Sequence, residues 1–180
     1  YQVEITYAVE ATGYDLPQTL NMVFGNISFL PDIRVVRLDF PERFLQHFKG
    51  PRFGRAGIRD LLGVHGRPLL STALKPIGLS SDQLAKMAYQ CALGGMDIIK
   101  DDHGLSHQHF APYFERTPRI IEAIKKANQE TGWKTLYFAN ISGPIERMIE
   151  MAHFAKQAGA DGLMVLPGLY SLEFFRSLAE

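Results

Sequence analysis

The chain has 180 residues, 46% hydrophobic and 21% charged, with 19 basic and 19 acidic residues that cancel to a formal net charge of zero. This composition excludes a disordered or coiled-coil chain, and the balanced charge leaves no electrostatic footprint for nucleic acid. No apolar run approaches the ~20 residues that span a bilayer, and no signal peptide pattern opens the chain, so a cytoplasmic protein away from membranes is expected.

Residues 2–10 alternate through Val3, Ile5, Tyr7 and Val9, which predicts a strand. Residues 17–24 read as a short helix, 33–38 as a second strand and 42–48 as one or two helical turns. Residues 1–49 thus read as part of an N-terminal α+β domain. The glycine- and proline-rich run from Gly50 to Gly57 predicts a boundary, with 50–66 as linker.

From residue 67 to 180 the pattern becomes a regular alternation. Arg67 to Lys75 is a strand stopped by Pro76 and Gly78. Ser80 opens a helix, with Gln83 completing a capping box and Leu84, Met87, Ala88, Cys91 and Ala92 on its apolar face. Cys91, the lone cysteine, reads as a small buried hydrophobe. Asp97 to Asp102 is the second strand. Thr117 and Pro118 predict the start of a helix with Ile120 or Ile121, Ile124 and Ala127 inward, closed by Gly132. Thr135 to Ile141 is the third strand. Pro144 opens a third helix, with Ile145, Met148, Ile149, Ala152 and Ala155 on one face. Residues 162–166 form the fourth strand, and a last helix starts near Tyr170.

Apolar strands alternating with helices predict a parallel sheet covered on its faces. Both a doubly wound sheet and the first four units of a (β/α)₈ barrel fit this spacing. A whole barrel takes ~250 residues, and Tyr1 and Glu180 both fall inside patterned segments, so a piece of a larger protein is expected.

In either fold, ligands bind beyond the carboxyl ends of the strands. Lys75, Lys100, Asp102, His103 and Asn140 all fall there, on three consecutive strands. Alternation puts Lys100 and Asp102 on one face and Asp101 on the other. Such a convergence of amines and carboxylates suits proton abstraction or metal binding; the blander reading is an internal ion pair of Lys100. His107 and His109 lie in a polar loop without the spacing of one helix face, which favours solvated histidines over zinc ligands.

These residues carry a family likeness. Gly66-Arg67-Pro68-Leu69-Leu70, Leu74-Lys75-Pro76, Gly78-Leu79-Ser80, Gly94-Gly95-Met96-Asp97 and Lys100-Asp101-Asp102 resemble the large subunit of ribulose-bisphosphate carboxylase (RuBisCO). Glu130-Thr131-Gly132, Asn140, and Asn21-Met22 with Gly25-Asn26 fit the same template. The resemblance implies the barrel, preceded by part of a ferredoxin-like α+β domain. It implies that Lys75 handles the substrate proton, and that Lys100 reacts with CO₂ to form a carbamate that binds Mg²⁺ together with Asp102. It implies that Asn26 reaches the active site of a partner subunit, hence a homodimer with active sites at its interface.

Three positions depart from the carboxylating pattern. Ile77 stands where those proteins carry a second lysine, His103 where they carry a metal-ligating glutamate, and Ala73 where they carry a threonine. These losses resemble the RuBisCO-like proteins, which enolise phosphorylated ketoses without fixing CO₂. The implied activity is metal-assisted enolisation or isomerisation of a sugar phosphate such as 5-methylthioribulose 1-phosphate, in methionine salvage. Lys100, Asp102 and His103 would hold the cation, and Asn26 and Lys75 the substrate. The alternatives are a carboxylase with an altered metal site and a non-catalytic regulatory member of the family.

Overall fold

The computed structural model describes residues 1–26 and 30–179, which separate into two compact units. Residues 1–52 with 170–180 form one, and residues 53–169 the other.

The larger unit is a parallel α/β layer. Its strands are β1 (Ser71–Leu74), β2 (Ile98–Asp101), β3 (Leu136–Asn140) and β4 (Gly162–Met164), all parallel and hydrogen-bonded in the order β1-β2-β3-β4. That order settles the fold left open by spacing. A doubly wound sheet reverses direction partway across, whereas a barrel adds each strand beside its predecessor. The four strands therefore follow the barrel pattern.

Four helices of this unit follow from local chemistry. α3 (Gly54–Leu62) ends at Gly63 in the left-handed conformation, φ 69°; it lies within the stretch read as linker. α4 (Ser81–Leu93) starts at the expected capping box, with Gln83 N–H donating to Ser80 Oγ and Ser80 N–H to Gln83 Oε1. Its buried residues include Leu84, Ala88 and Ala92, while Cys91 is half-buried rather than enclosed.

α5 (Tyr113–Thr131) begins four residues before the predicted Thr117. The reason is an imidazole: His107 Nδ1 accepts the Tyr113 N–H at 3.1 Å, satisfying one of the donors a helix start leaves free. His107 also meets Phe114 edge-on, so this histidine of the polar loop has a structural partner. Pro118 consequently sits inside the helix, where it removes one intrahelical bond.

α6 (Ile145–Ala158) follows Pro144, but turned from the predicted face. Met148, Met151 and Ala155 are buried, whereas Ile145 and Ile149 are exposed. Apolar residues line both faces, so periodicity alone had no means of choosing between them. The core is Leu74, Ile99, Leu136, Tyr137 and Ala139 of the sheet, covered by Leu84, Ile120, Ile124 and Met148 of the helices. β3 is buried on both faces, the expected state of a central parallel strand.

The smaller unit holds α1 (Leu16–Phe24), α2 (Glu42–Leu45) and α7 (Leu172–Ala179). Asp15 Oδ1 caps α1 by accepting the Gln18 N–H at 2.7 Å. Phe44 is buried and stacks against Phe40, and Thr12 Oγ1 donates to the Val9 carbonyl. Neither predicted strand, over 2–10 or 33–38, is present: Val3, Ile5, Tyr7, Ile33, Val36 and Leu38 are exposed. Alternation marks a face for burial but supplies no neighbouring strand, and an isolated strand has nothing to hold it.

Candidate active site at the carboxyl ends of the strands

Strand alternation sorts the consecutive residues Lys100, Asp101 and Asp102. Lys100 pairs in register with Ala73 of β1 and Phe138 of β3. Asp101, the last residue of β2, turns to the helix layer, where its Oδ2 accepts Arg116 Nη2 of α5 at 3.1 Å. Asp101 also accepts the Tyr137 hydroxyl at 2.8 Å and the Asn140 backbone N–H at 3.0 Å. Both Asp101 and Arg116 are wholly enclosed. Burial pushes the Asp101 carboxyl above its ordinary range, against the pull of Arg116, the Asn140 amide and Tyr137.

Asp102 projects elsewhere. Its Oδ1 lies 3.2 Å from Lys75 Nζ and 3.5 Å from His103 Nδ1, and its Oδ2 accepts the Gly104 N–H at 3.2 Å. The carboxylate is buried, while Lys75 and His103 extend toward solvent, with side chains 62% and 70% exposed. Burial raises the Asp102 carboxyl, but the Gly104 amide, Lys75 and His103 outweigh it and hold it below the ordinary carboxylate range.

The structure thus joins Lys75, Asp102 and His103 into one cluster across the ends of β1 and β2. Lys100 makes a different contact, its Nζ donating to the Asp101 carbonyl at 3.3 Å rather than to a carboxylate. The ion-pair reading of Lys100 finds no support here, because Asp101 is engaged with Arg116 and Asp102 with Lys75. Asn26 lies in the other unit, exposed, just beyond α1. His109 meets Phe110 edge-on and touches none of these groups.

Among the described residues, no three His, Cys, Asp or Glu side chains stand together as a metal-holding group. Asp102 still has the character of a ligand, since its Oδ1 takes no hydrogen bond of good geometry.

Arg116, Tyr137 and the side chain of Asn140 were not assigned roles by sequence reasoning. The one available signal was the outward phase of Asp101, which called for a cationic partner in the helix layer. A cavity of about 530 Å³, lined by Leu62, Arg67, Leu70, Met96, Asp97 and Trp133, opens at the amino ends of the strands. It lies away from the Lys75 cluster, and in parallel barrels the chemistry belongs to the carboxyl ends.

Residues 54–171 match the family described as "Ribulose bisphosphate carboxylase large chain, catalytic domain". A ribulose bisphosphate carboxylase-like protein of Archaeoglobus fulgidus is 41% identical over 179 residues, 99% of this chain and 41% of that protein. A Rhodospirillum rubrum protein named 5-methylthioribulose-1-phosphate isomerase is 34% identical over 181 residues, 100% of this chain and 48% of that protein. The crystal structure of a Rubisco-like protein from Rhodopseudomonas palustris superposes with a TM-score of 0.87 at 42% identity, over 95% of this chain and 49% of that one. A barrel-ordered sheet with Lys75 and Asp102 paired at its carboxyl ends defines the class, and the chain belongs to the ribulose bisphosphate carboxylase large-chain family. It spans less than half the length of the relatives just named. Among the described residues, no helix is long and apolar enough to cross a membrane.

Proposed function

We propose that the protein is a RuBisCO-like enzyme that enolises or isomerises a phosphorylated ketose, of the kind of 5-methylthioribulose 1-phosphate, without fixing CO₂. The observation that carries this reading is the contact of Lys75 Nζ with Asp102 Oδ1 at 3.2 Å, across adjacent parallel strands and open to the mouth. An amine fixed by a carboxylate at that place is suited to move a proton at the carbon beside a carbonyl. The named activity of the Rhodospirillum rubrum relative supports the substrate class.

Lys75 carries the proton at Nζ, and Asp102 aims the ammonium and takes up part of its charge. Asp102, a carbamate on Lys100 and the imidazole of His103 would hold the cation. This donor set mixes oxygen with nitrogen, so it suits Mn²⁺ alongside Mg²⁺, which prefers an all-oxygen shell. When bound, such a cation polarises the carbonyl and stabilises the negative charge that develops on its oxygen. Asn26 would reach a partner's substrate in a homodimer.

Ile77 argues against carboxylation. Where a cationic side chain would stand, an apolar one packs so closely on Gly104 that a Cβ there would lie 2.6 Å from Ile77 Cδ1. Such a wall offers a carboxylated intermediate no charge. The retained lysines, Lys75 and Lys100, keep a carboxylase with an altered metal site as the second reading. The experiment is to incubate the full-length protein with each substrate. Solvent-proton exchange into 5-methylthioribulose 1-phosphate without CO₂ uptake by ribulose 1,5-bisphosphate supports enolisation. CO₂ uptake would establish the second reading, and no reaction with either, with no response to divalent cation, a non-catalytic role.

A further inference from the structure

We infer that Asn140, on β3, is a positioning residue that sets where Asp102 and His103 project; the inference rests on the reading of those two residues as part of the site. Asn140 is fully buried at the end of β3. Its Nδ2 donates to the Asp102 carbonyl at 3.2 Å and to the His103 carbonyl at 2.9 Å. Its Oδ1 accepts the Ser142 N–H at 3.0 Å and the Ser142 hydroxyl at 2.7 Å. A side-chain amide has two donors and two acceptor sites, and all four are used. The pattern admits one orientation only, because a flipped amide would set its oxygen against two carbonyls.

The two carbonyls belong to the peptide groups on either side of His103. Fixing both fixes the backbone between Asp102 and Gly104, and with it the directions of the carboxylate and the imidazole. The same Asp102 carbonyl accepts the Leu105 N–H at 2.9 Å, and Gly104 N–H holds Asp102 Oδ2. Ser106 Oγ donates to the Ser142 carbonyl, a second tie between the two loops. Asn140 is itself anchored from behind, its backbone N–H donating to Asp101 Oδ2 within the enclosed pair with Arg116. A rigid, buried ion pair in the helix layer thus sets a strand end, whose side chain sets the loop that presents Asp102. Outer groups that orient ligands in this way typically matter 10- to 100-fold for affinity or activity.

The test uses the full-length protein with Asn140→Asp, an isosteric change that keeps the acceptors for Ser142 and removes both donors. Amide hydrogen exchange at Gly104 and Leu105 is expected to rise at least about tenfold, with the sheet unchanged. Mn²⁺ affinity and kcat are expected to fall about 10- to 100-fold, with KM little moved. Ser142→Ala, which removes the hydroxyl bond to Asn140 Oδ1 and keeps the backbone N–H one, gives a smaller rise at the same amides and serves if Asn140→Asp does not fold. Tyr137→Phe removes a different buried bond to Asp101; it is expected to lower the unfolding midpoint while leaving those amides within about twofold. Unchanged exchange at Gly104 and Leu105 in both loop variants, or an equal rise in Tyr137→Phe, overturns the inference. If the loop loosens as expected but the wild-type protein exchanges no substrate proton, the positioning role stands and the proposed function falls.

Discussion

Lys75 Nζ and Asp102 Oδ1, 3.2 Å apart, bind the end of β1 to the loop that follows β2. An ion pair with its lysine largely in solvent contributes little to folding, about 0–1 kcal/mol. Stability and chemistry therefore separate at this residue. Lys75→Met is expected to cost less than about 1 kcal/mol in denaturant unfolding, yet to reduce substrate proton exchange by at least about 100-fold. A variant that keeps exchange would remove Lys75 from the mechanism.

The enclosed pair of Asp101 and Arg116 behaves oppositely. Arg116→Met leaves the Asp101 carboxyl buried without its cation, a loss of about 3–5 kcal/mol. Urea unfolding of Arg116→Met and of the double variant Asp101→Leu with Arg116→Met checks this. Removing both charges is expected to recover part of the loss, since the penalty lies in the orphaned group rather than in the missing attraction. Equal losses in the two variants would count against that account.

Acid sensitivity is expected at the opposite end of the sheet. Arg67 grips Asp97 with two hydrogen bonds, at 2.6 and 2.8 Å, and the Leu70 N–H adds a third at 2.8 Å. The Arg67 bonds hold the Asp97 carboxyl below its ordinary range, against its burial. The native protein then binds fewer protons here than the unfolded chain through the acidic range. Its contribution is present above the unfolded pKa and is lost as pH falls through the lowered folded one. Denaturant midpoints measured from pH 7 to pH 3 should fall more steeply for the wild type than for Asp97→Asn. Parallel curves would show that Asp97 is not a source of acid lability.

Gly162 faces Phe138 across the β3–β4 pair, and a Cβ added there would lie 2.9 Å from the Phe138 ring. An aromatic ring flanked by Lys100 and Gly162 in register has little freedom to withdraw. Gly162→Ala is expected to cost about 1–3 kcal/mol through overpacking. A second substitution, Phe138→Leu, should return part of it; thermal melts of the three variants decide.

Much of the larger unit was legible because its signals are local. The capping box at Ser80 and Gln83, the apolar strands and the glycine stops each act within a few residues of themselves. The placement of Lys75 and Asp102 at one mouth followed from parallel strands and a period of two, whereas the contact of His103 with Asp102 belongs to the loop beyond β2. What escaped was tertiary. The His107 imidazole, six residues upstream of Tyr113, moved the start of α5. The choice between two apolar faces moved α6. In the smaller unit, alternation at Val3 to Val9 promised a strand but carried no information about a partner. The hold of Asn140 on the 102–103 backbone was invisible for the same reason, since it joins segments 37 and 38 residues apart.

The central claim is that this site moves a proton on a ketose phosphate through Lys75 and a cation held at Lys100 and Asp102. It is tested most directly by deuterium wash-in to 5-methylthioribulose 1-phosphate in D₂O, with bicarbonate and Mg²⁺ or Mn²⁺, for the full-length wild type and Lys100→Ala. The account predicts metal-dependent incorporation at the carbon beside the carbonyl, abolished in Lys100→Ala. Incorporation that persists undiminished in Lys100→Ala would contradict it.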